Sequence, residues 1–225
     1  MALDGMHRRK ALLALKAKFA VCSEFDYLNS KVKLERWLRY LIAPDRKTVE
    51  KIVDMFQMRR LRTVDSAILE VDSAKNCFAL LNSRASFVSK SAESISQVYQ
   101  NIDEADRIFE NAQVEVSFAG DKERRDLYSS ESVYVLYPAP LKKKDVLSVA
   151  GAGSVFPYKT TRHIVPLRPM GLYFPLDMLT NSSKEECERE LERIVKSSKI
   201  SVEERDVWYE GRRYSEPIAV FRTHS

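Results

Sequence analysis

The chain has 225 residues, of which 44% are hydrophobic and 31% charged, so it can bury a core and is neither disordered nor collagen-like. No apolar run approaches the roughly 18 residues of a membrane-spanning helix, and three scattered cysteines do not make a disulfide framework. The net charge of +5 is uneven, because residues 1–62 hold 15 lysines and arginines against 7 acidic residues. This asymmetry predicts an anionic partner, unless the acidic segment 63–120 neutralises it.

The first half of the chain is predicted to be helical. No glycine occurs between Gly5 and Gly120, and Pro44 is the only proline before Pro138. Apolar residues recur at helical spacing, and Asp45 and Thr63 are suitable N-caps. The predicted helices cover about residues 7–22, 31–42, 45–56, 63–81 and 91–112. Residues 68–71, inside the fourth helix, could also form a strand.

The second half changes to strand spacing. Residues 114–118 alternate between apolar and polar side chains, and short β-branched or aromatic runs follow. The predicted strands cover residues 114–118, 133–137, 146–150, 200–202, 207–209, 212–214 and 218–221. Four prolines between residues 155 and 176 predict an extended loop with short edge pieces. One helix interrupts, beginning at a capping box of Ser183 and Glu186.

These elements predict an α+β fold. A helical bundle over residues 1–112 is expected first, and a mixed β-sheet module with one helix and the Pro-rich extended segment over residues 113–225 second.

No catalytic, metal or cofactor site is predicted. Of the three histidines, His7 and His224 lie near the chain ends, and His163 has no neighbouring motif that would supply catalytic geometry. Metal-ligand spacings such as C-x-x-C are absent from the sequence. Gly151-Ala152-Gly153 lacks the third glycine and the following helix of a dinucleotide loop, so a turn is the better interpretation.

Basic clusters carry the main functional prediction. Cations grouped on one surface can contact nucleic-acid phosphates without any sequence-specific motif. The residues predicted to contact RNA phosphates are Lys142, Lys143, Lys144, Arg124, Arg125, Arg59, Arg60 and Arg62. The lysine triplet follows Pro138-Ala139-Pro140, which favours an exposed basic loop.

The sequence therefore predicts a non-enzymatic structural or assembly subunit of a large complex, with RNA and other protein subunits as partners. The favoured setting is a ribonucleoprotein such as an organellar ribosome, because the Arg/Lys-rich, amphipathic residues 7–22 are similar to a mitochondrial presequence. A cytoplasmic location is the alternative. That segment could also contact an anionic membrane surface, as part of a scaffold in a protein-only complex. A second alternative is an enzyme with its site around His163, Arg162 and Arg168.

Overall fold

The computed structural model describes residues 3–121 and 130–223. The chain divides into two compact units. Leu34–Arg162 form one, here called the continuous unit; Met1–Lys33 together with His163–Ser225 form the other, here called the split unit. The boundary that the sequence placed near residue 113 falls inside the continuous unit.

The continuous unit is built on an antiparallel sheet. Its strands are β1 (Lys33–Ile42), β2 (Arg59–Leu61), β3 (Phe78–Leu81), β4 (Ser86–Val88), β5 (Glu115–Gly120) and β6 (Val133–Pro138). The strand order is β2-β4-β3-β6-β1-β5, and β7 (Thr161–Ile164) also pairs with β1. In the register of the sheet, Tyr40 of β1 lies opposite Ser117 on one side and Val135 on the other. The sequence therefore predicted β5 and β6 correctly.

In the part of this unit that the structure describes, the sheet is accompanied by the helices α2 (Arg46–Met55), α3 (Val64–Asp72), α4 (Ile95–Asn111) and α5 (Lys143–Gly151). Asp45 and Thr63 cap α2 and α3 as predicted, since each side chain accepts a hydrogen bond from the backbone N–H three residues on. The predicted third and fifth helices are confirmed as α2 and α4. The buried face of α4 comprises Val98, Tyr99, Ile102, Ala105, Ile108 and Phe109.

The second predicted helix is wrong, because residues 33–42 form the strand β1. The spacing of Leu34, Leu38 and Leu41 fits a helical stripe, but it also fits a strand that is covered on both faces. A strand covered on both faces buries residues of both parities, and in β1 the consecutive residues Leu38, Arg39, Tyr40 and Leu41 are all buried, with Arg39 0% exposed.

Two further elements differ from the prediction. The fourth helix ends at Asp72 rather than near residue 81, since Ala74 and Asn76 both have positive φ and residues 78–81 form β3. Residues 146–150, predicted to be a strand, lie in α5.

The described residues of the split unit form three helices and two small sheets. Its helices are α1 (Met6–Ala14), α6 (Leu176–Asn181) and α7 (Lys184–Ser197). Its strands are β8 (Arg168–Met170), β9 (Ser198–Glu203), β10 (Val207–Tyr209), β11 (Arg212–Tyr214) and β12 (Ile218–Thr223). The central strand β12 pairs in parallel with β8 and antiparallel with β9, while β10 and β11 form a hairpin. A small hydrophobic core of this unit consists of Tyr214, Ile218 and Val220.

Several predictions for the split unit are confirmed. Ser183 and Glu186 form the predicted capping box of α7. Glu210 and Gly211 make the predicted tight turn, both with positive φ, between β10 and β11. The first helix is shorter than the predicted range 7–22, because it ends at Ala14 and the backbone N–H groups of Lys18 and Phe19 then donate to the Leu179 carbonyl.

The α+β class is thus confirmed, and the N-terminal helical bundle is wrong. The main sheet begins at Lys33, and sheet strands alternate with helices from there to Gly120. Among the residues described, no helix combines the length and the apolar character needed to cross a lipid bilayer.

Candidate active site

The amino end of α1, in the split unit, has the geometry of an anion site. Gly5 is the N-cap and has a φ of 80°, a backbone conformation that glycine adopts without strain. No side chain caps the first turn, and that turn contains no acidic residue. The first N–H groups of a helix have no partner inside the helix and carry its positive dipole end, which together attract a phosphate or carboxylate.

Positive side chains follow directly at this end of α1. His7, Arg8, Arg9 and Lys10 lie in its first two turns, and all four are exposed. Cations are not favoured by the helix dipole at this end, so their concentration here is more easily explained by an anion that binds from outside. The local sequence Asp4-Gly5-Met6-His7-Arg8 therefore provides backbone donors and cations in one place.

Asp4 stands immediately before this helix and is held in place by two contacts. Its Oδ1 accepts a hydrogen bond of 2.6 Å from the Gly5 N–H, and its Oδ2 lies 2.6 Å from Nη1 of Arg168. Partial burial alone would raise the pKa of Asp4, but the Gly5 hydrogen bond and the charge of Arg168 outweigh it and hold the pKa below its ordinary value. Asp4 is therefore a carboxylate at neutral pH.

Arg168 organises this part of the split unit. Besides Asp4, its Nε donates to Oε1 of Glu216 at 2.6 Å, and its Nη2 donates to the His163 carbonyl at 3.1 Å. Burial would lower the pKa of Arg168, but Glu216 and Asp4 raise it, so the guanidinium remains charged. Glu216 is only 4% exposed and lies just before β12, so Arg168 fixes Asp4 to the sheet.

His163 lies beside this network but is not placed as a catalytic base. It is buried, and its Nε2 is 3.2 Å from the hydroxyl of Tyr27, whose ring is 5.6 Å from the imidazole. Burial raises the pKa of Tyr27. The hydrogen bond from Arg168 goes to the backbone carbonyl of His163 and not to its imidazole.

Among the described residues of the continuous unit, three arginines are buried, namely Arg36, Arg39 and Arg162, and each has structural partners. Arg36 contacts Asp121 at 2.9 Å and Asp72 at 2.7 Å, and it also donates to the Pro138 carbonyl and the Tyr137 hydroxyl. Four of its five N–H donors thus form hydrogen bonds, which connect α3 with the ends of β5 and β6. Only one N–H of the guanidinium is left to bind a ligand. Arg39 contacts Asp106 of α4 at 2.9 Å in the same way.

Trp37 is partly buried in this unit, and two cationic side chains lie over its ring. Lys159 Nζ lies 4.4 Å from the ring centroid and the Arg162 guanidinium 5.0 Å, while the indole N–H donates to the Thr161 carbonyl. Arg162 also lies 3.8 Å from Glu35. Arg162 and Trp37 therefore make structural contacts with each other.

The basic residues predicted to contact RNA lie on separate elements. Arg59 pairs with Glu70, Arg60 donates to the Arg84 carbonyl, and Arg62 is exposed just after β2. Charged side chains on β2 suit its place at the edge of the sheet. Arg124 and Arg125 fall outside the described residues.

The lysine triplet does not form the predicted basic loop. Lys142 is the N-cap of α5, with its N–H bonded to Asp145, and Lys143 and Lys144 are the first two residues of the helix. Within the described ranges, no group of three or more residues is arranged to hold a metal ion.

Comparison with known proteins relates this chain to several named kinases. No protein-family model matches the chain. It is 28% identical over 189 residues to the ATP-dependent L-serine kinase of Desulfurococcus mucosus, a match that spans 80% of this chain and 72% of that protein. It is 25% identical over 173 residues to the ADP-dependent L-serine kinase of Thermococcus kodakarensis, spanning 75% and 69%. These relatives are kinases.

Solved structures agree with this comparison. A mutant free serine kinase in complex with ADP is 25% identical to the chain, with a TM-score of 0.57, over 73% of this chain and 67% of that one. Another, in complex with AMP, is 27% identical, with a TM-score of 0.58 over the same shares.

The prediction of a non-enzymatic ribonucleoprotein subunit is therefore wrong. The relatives are named as kinases of serine, which points to an enzyme rather than a structural subunit. RNA and other subunits as partners, and the organellar ribosome as setting, are wrong on the same finding. Contact of residues 7–22 with a membrane is also not supported, because the helix ends at Ala14 and residues 18–19 bond to α6.

The residues around α1 were not predicted as a site. His7 lies near the chain end, and the basic residues of this segment are also typical of targeting or docking groups. The available signal was a glycine directly before a helix whose first turn holds only neutral and basic residues. A helix start of this kind, rather than the lysine triplet, is typical of an anion site.

Proposed function

We propose that this protein is a nucleotide-dependent kinase that phosphorylates the hydroxyl group of free serine. The observation that carries the proposal is the similarity to serine kinases over three quarters or more of the chain, together with the ADP and AMP complexes of structurally similar kinases. In the transfer, the serine hydroxyl oxygen forms a bond to the terminal phosphorus of the nucleotide. The bridging P–O bond breaks and keeps its electron pair on the departing ADP or AMP, and the hydroxyl proton passes to solvent water.

The amino end of α1 is the proposed phosphate anchor of this chain. Its first-turn N–H groups would bind phosphate oxygens, and His7 and Arg8 would offset their negative charge. Positioning and charge stabilisation are the main contributions that a protein makes to phosphoryl transfer, so a preorganised anion site of this kind suits the reaction.

Asp4 is the proposed positioning carboxylate beside that anchor. A pKa below the ordinary aspartate value makes Asp4 a weak base at neutral pH, so proton abstraction is not its best use. A permanently charged carboxylate can instead orient the ammonium or hydroxyl group of the amino acid through a charge-assisted hydrogen bond. Arg168 keeps this carboxylate in place.

The direct test is incubation of the purified protein with L-serine and the magnesium salt of ATP or ADP, with O-phosphoserine measured by mass spectrometry. Since one relative is named for ATP and another for ADP, both donors are compared, and release of ADP or AMP identifies the one used. The result that contradicts the proposal is the absence of phosphoserine with either donor while nucleotide binding is retained.

A matched pair of variants tests the site. Asp4→Asn should lower kcat/KM for serine by at least about tenfold, the usual cost of losing a charged hydrogen bond to substrate. Asp206→Asn is the control, because Asp206 is in the same unit, is 54% exposed against 52% for Asp4, and also pairs with an arginine. If the two variants were equally active, Asp4 would not be part of the active site.

A further inference from the structure

The strand β9 is an open sheet edge. It is the last strand in the order β8-β12-β9 and pairs along its whole length with β12. Among the described residues, no other strand pairs with its second edge. A free edge exposes backbone N–H and C=O groups that can pair with another chain, and proteins usually protect such edges.

The side chains on this edge are unusually apolar. Ile200 is 45% exposed and Val202 is 60% exposed, and the period of two along a strand puts both on one face of the sheet. In the β9–β12 register they lie opposite Phe221 and Ala219, so that face is apolar across both strands. Two exposed β-branched residues on an open edge favour pairing with a further strand.

The charges on the other face point to the identity of that strand. Lys199 lies opposite Arg222 of β12, a like charge, and neither Lys199 nor Glu203 has an ion-pair partner in the part of the chain that the structure describes. Like charges directly opposite each other are unfavourable, so Lys199 would gain from an acidic residue on its open side.

We propose that β9 pairs antiparallel with β9 of a second copy of this chain, with Ser201 opposite Ser201 on a two-fold axis. This register places Ile200 against Val202 of the other copy, twice, on the apolar face. On the other face it places Lys199 against Glu203, also twice. The strand is thus complementary to itself, as a two-fold symmetric interface requires.

Neighbouring registers lack this match. A shift by one residue sets Ile200 against serine and Lys199 against Val202, which mixes apolar and polar side chains on each face. A shift by two residues sets Lys199 against serine or leaves it without a partner. Among these registers, the one centred on Ser201 places apolar residues opposite apolar residues and opposite charges together. It would also join the two three-stranded sheets into one sheet of six strands across the dimer.

The test is sedimentation equilibrium of the full-length protein over roughly 1 to 200 µM, a range that resolves micromolar association. The wild type should show a concentration-dependent doubling of mass. Lys199→Glu places like charges together at both symmetric positions and should weaken association about tenfold or more, and Glu203→Lys should do the same. Circular dichroism establishes that each variant is folded.

Charge exchange makes the test specific to the register. The double variant Lys199→Glu/Glu203→Lys should dimerise like the wild type. An equimolar mixture of the two single variants should form heterodimers, because every cross-strand pair in it again joins opposite charges. Lys184→Glu, the same charge change on the exposed first turn of α7, is the control and should leave association unchanged.

Two outcomes would overturn the proposal. One is a wild-type protein that remains monomeric throughout the concentration range. The other is a dimer whose association constant is unaffected by the single charge reversals or is not restored by mixing them, since either result places the interface elsewhere.

Discussion

Replacement of Arg168 by methionine is the most informative perturbation of the split unit. Arg168 has a side chain that is 15% exposed, and it is the ion-pair partner of Glu216, which is 4% exposed. In the Arg168→Met variant the Glu216 carboxylate would stay buried without a countercharge. Breaking a buried ion pair by removing one partner costs about 3–5 kcal/mol, because the remaining charge is uncompensated.

Asp4 contributes little to this loss. It is about half exposed, so its ion pair with Arg168 is screened by solvent and contributes at most about 1 kcal/mol. The free energy of unfolding should therefore fall by roughly 3–5 kcal/mol in total, a large part of the 5–15 kcal/mol typical of a domain. Urea denaturation followed by far-ultraviolet circular dichroism measures it.

Two companion variants separate the buried charge from general loss of packing. The double variant Arg168→Met/Glu216→Leu should recover most of the stability, since replacing both partners of a buried pair by apolar residues is often neutral. Arg213→Met removes an arginine from a pair with the exposed Asp206 and should cost less than about 1 kcal/mol. The reasoning is refuted if Arg168→Met costs no more than Arg213→Met, or if the double variant is no more stable than the single one.

Three further outcomes are expected. The pKa of Asp4 is held below its ordinary value of 3.8, so its carboxylate stabilises the folded state above that pH. The unfolding temperatures of the wild type and Asp4→Asn should therefore differ by a constant amount from neutral pH to about pH 5. The difference should shrink as the pH falls below 4. Arg39→Met leaves Asp106 partly buried without its partner and should lower the free energy of unfolding by about 3 kcal/mol. Adding Asp106→Asn to this variant should recover part of the lost stability. A urea titration in which Arg39→Met is as stable as the wild type would contradict this. Burial raises the pKa of Cys77 to about 11. Ellman's reagent at pH 8 should therefore label the exposed Cys22 quickly and Cys77 only after denaturation. Rapid labelling of Cys77 in the folded protein would contradict this, because it would show that the thiol is accessible.

Local signals in the sequence predicted many elements correctly. Helix caps at Asp45, Thr63 and Ser183 and the turn at Glu210-Gly211 depend on interactions within a few residues, so each could be found from its own segment. The alternation that predicted β5 is equally local.

The central strand β1 could not be found in this way. Arg36 and Arg39 are buried in it by acidic partners that are distant along the chain, since Asp121 is 85 residues from Arg36 and Asp106 is 67 residues from Arg39. Once those contacts exist, an arginine can be fully buried, and the apolar spacing that fits a helix fits a doubly covered strand as well. The same limit applies to the candidate active site, where Asp4 depends on Arg168, 164 residues later.

The division of the split unit between the two ends of the chain has a consequence for its synthesis. Residues 34–162 form a continuous unit and can fold as soon as they leave the translation machinery, whereas residues 1–33 must wait for about 130 more residues before their partners appear. At 5–20 residues per second this delay is roughly 6–25 s. During that interval the segment that carries the proposed phosphate anchor has neither Arg168 nor the Leu179 carbonyl to bond to, so the contacts that hold the proposed anchor would form only after those residues have been synthesised.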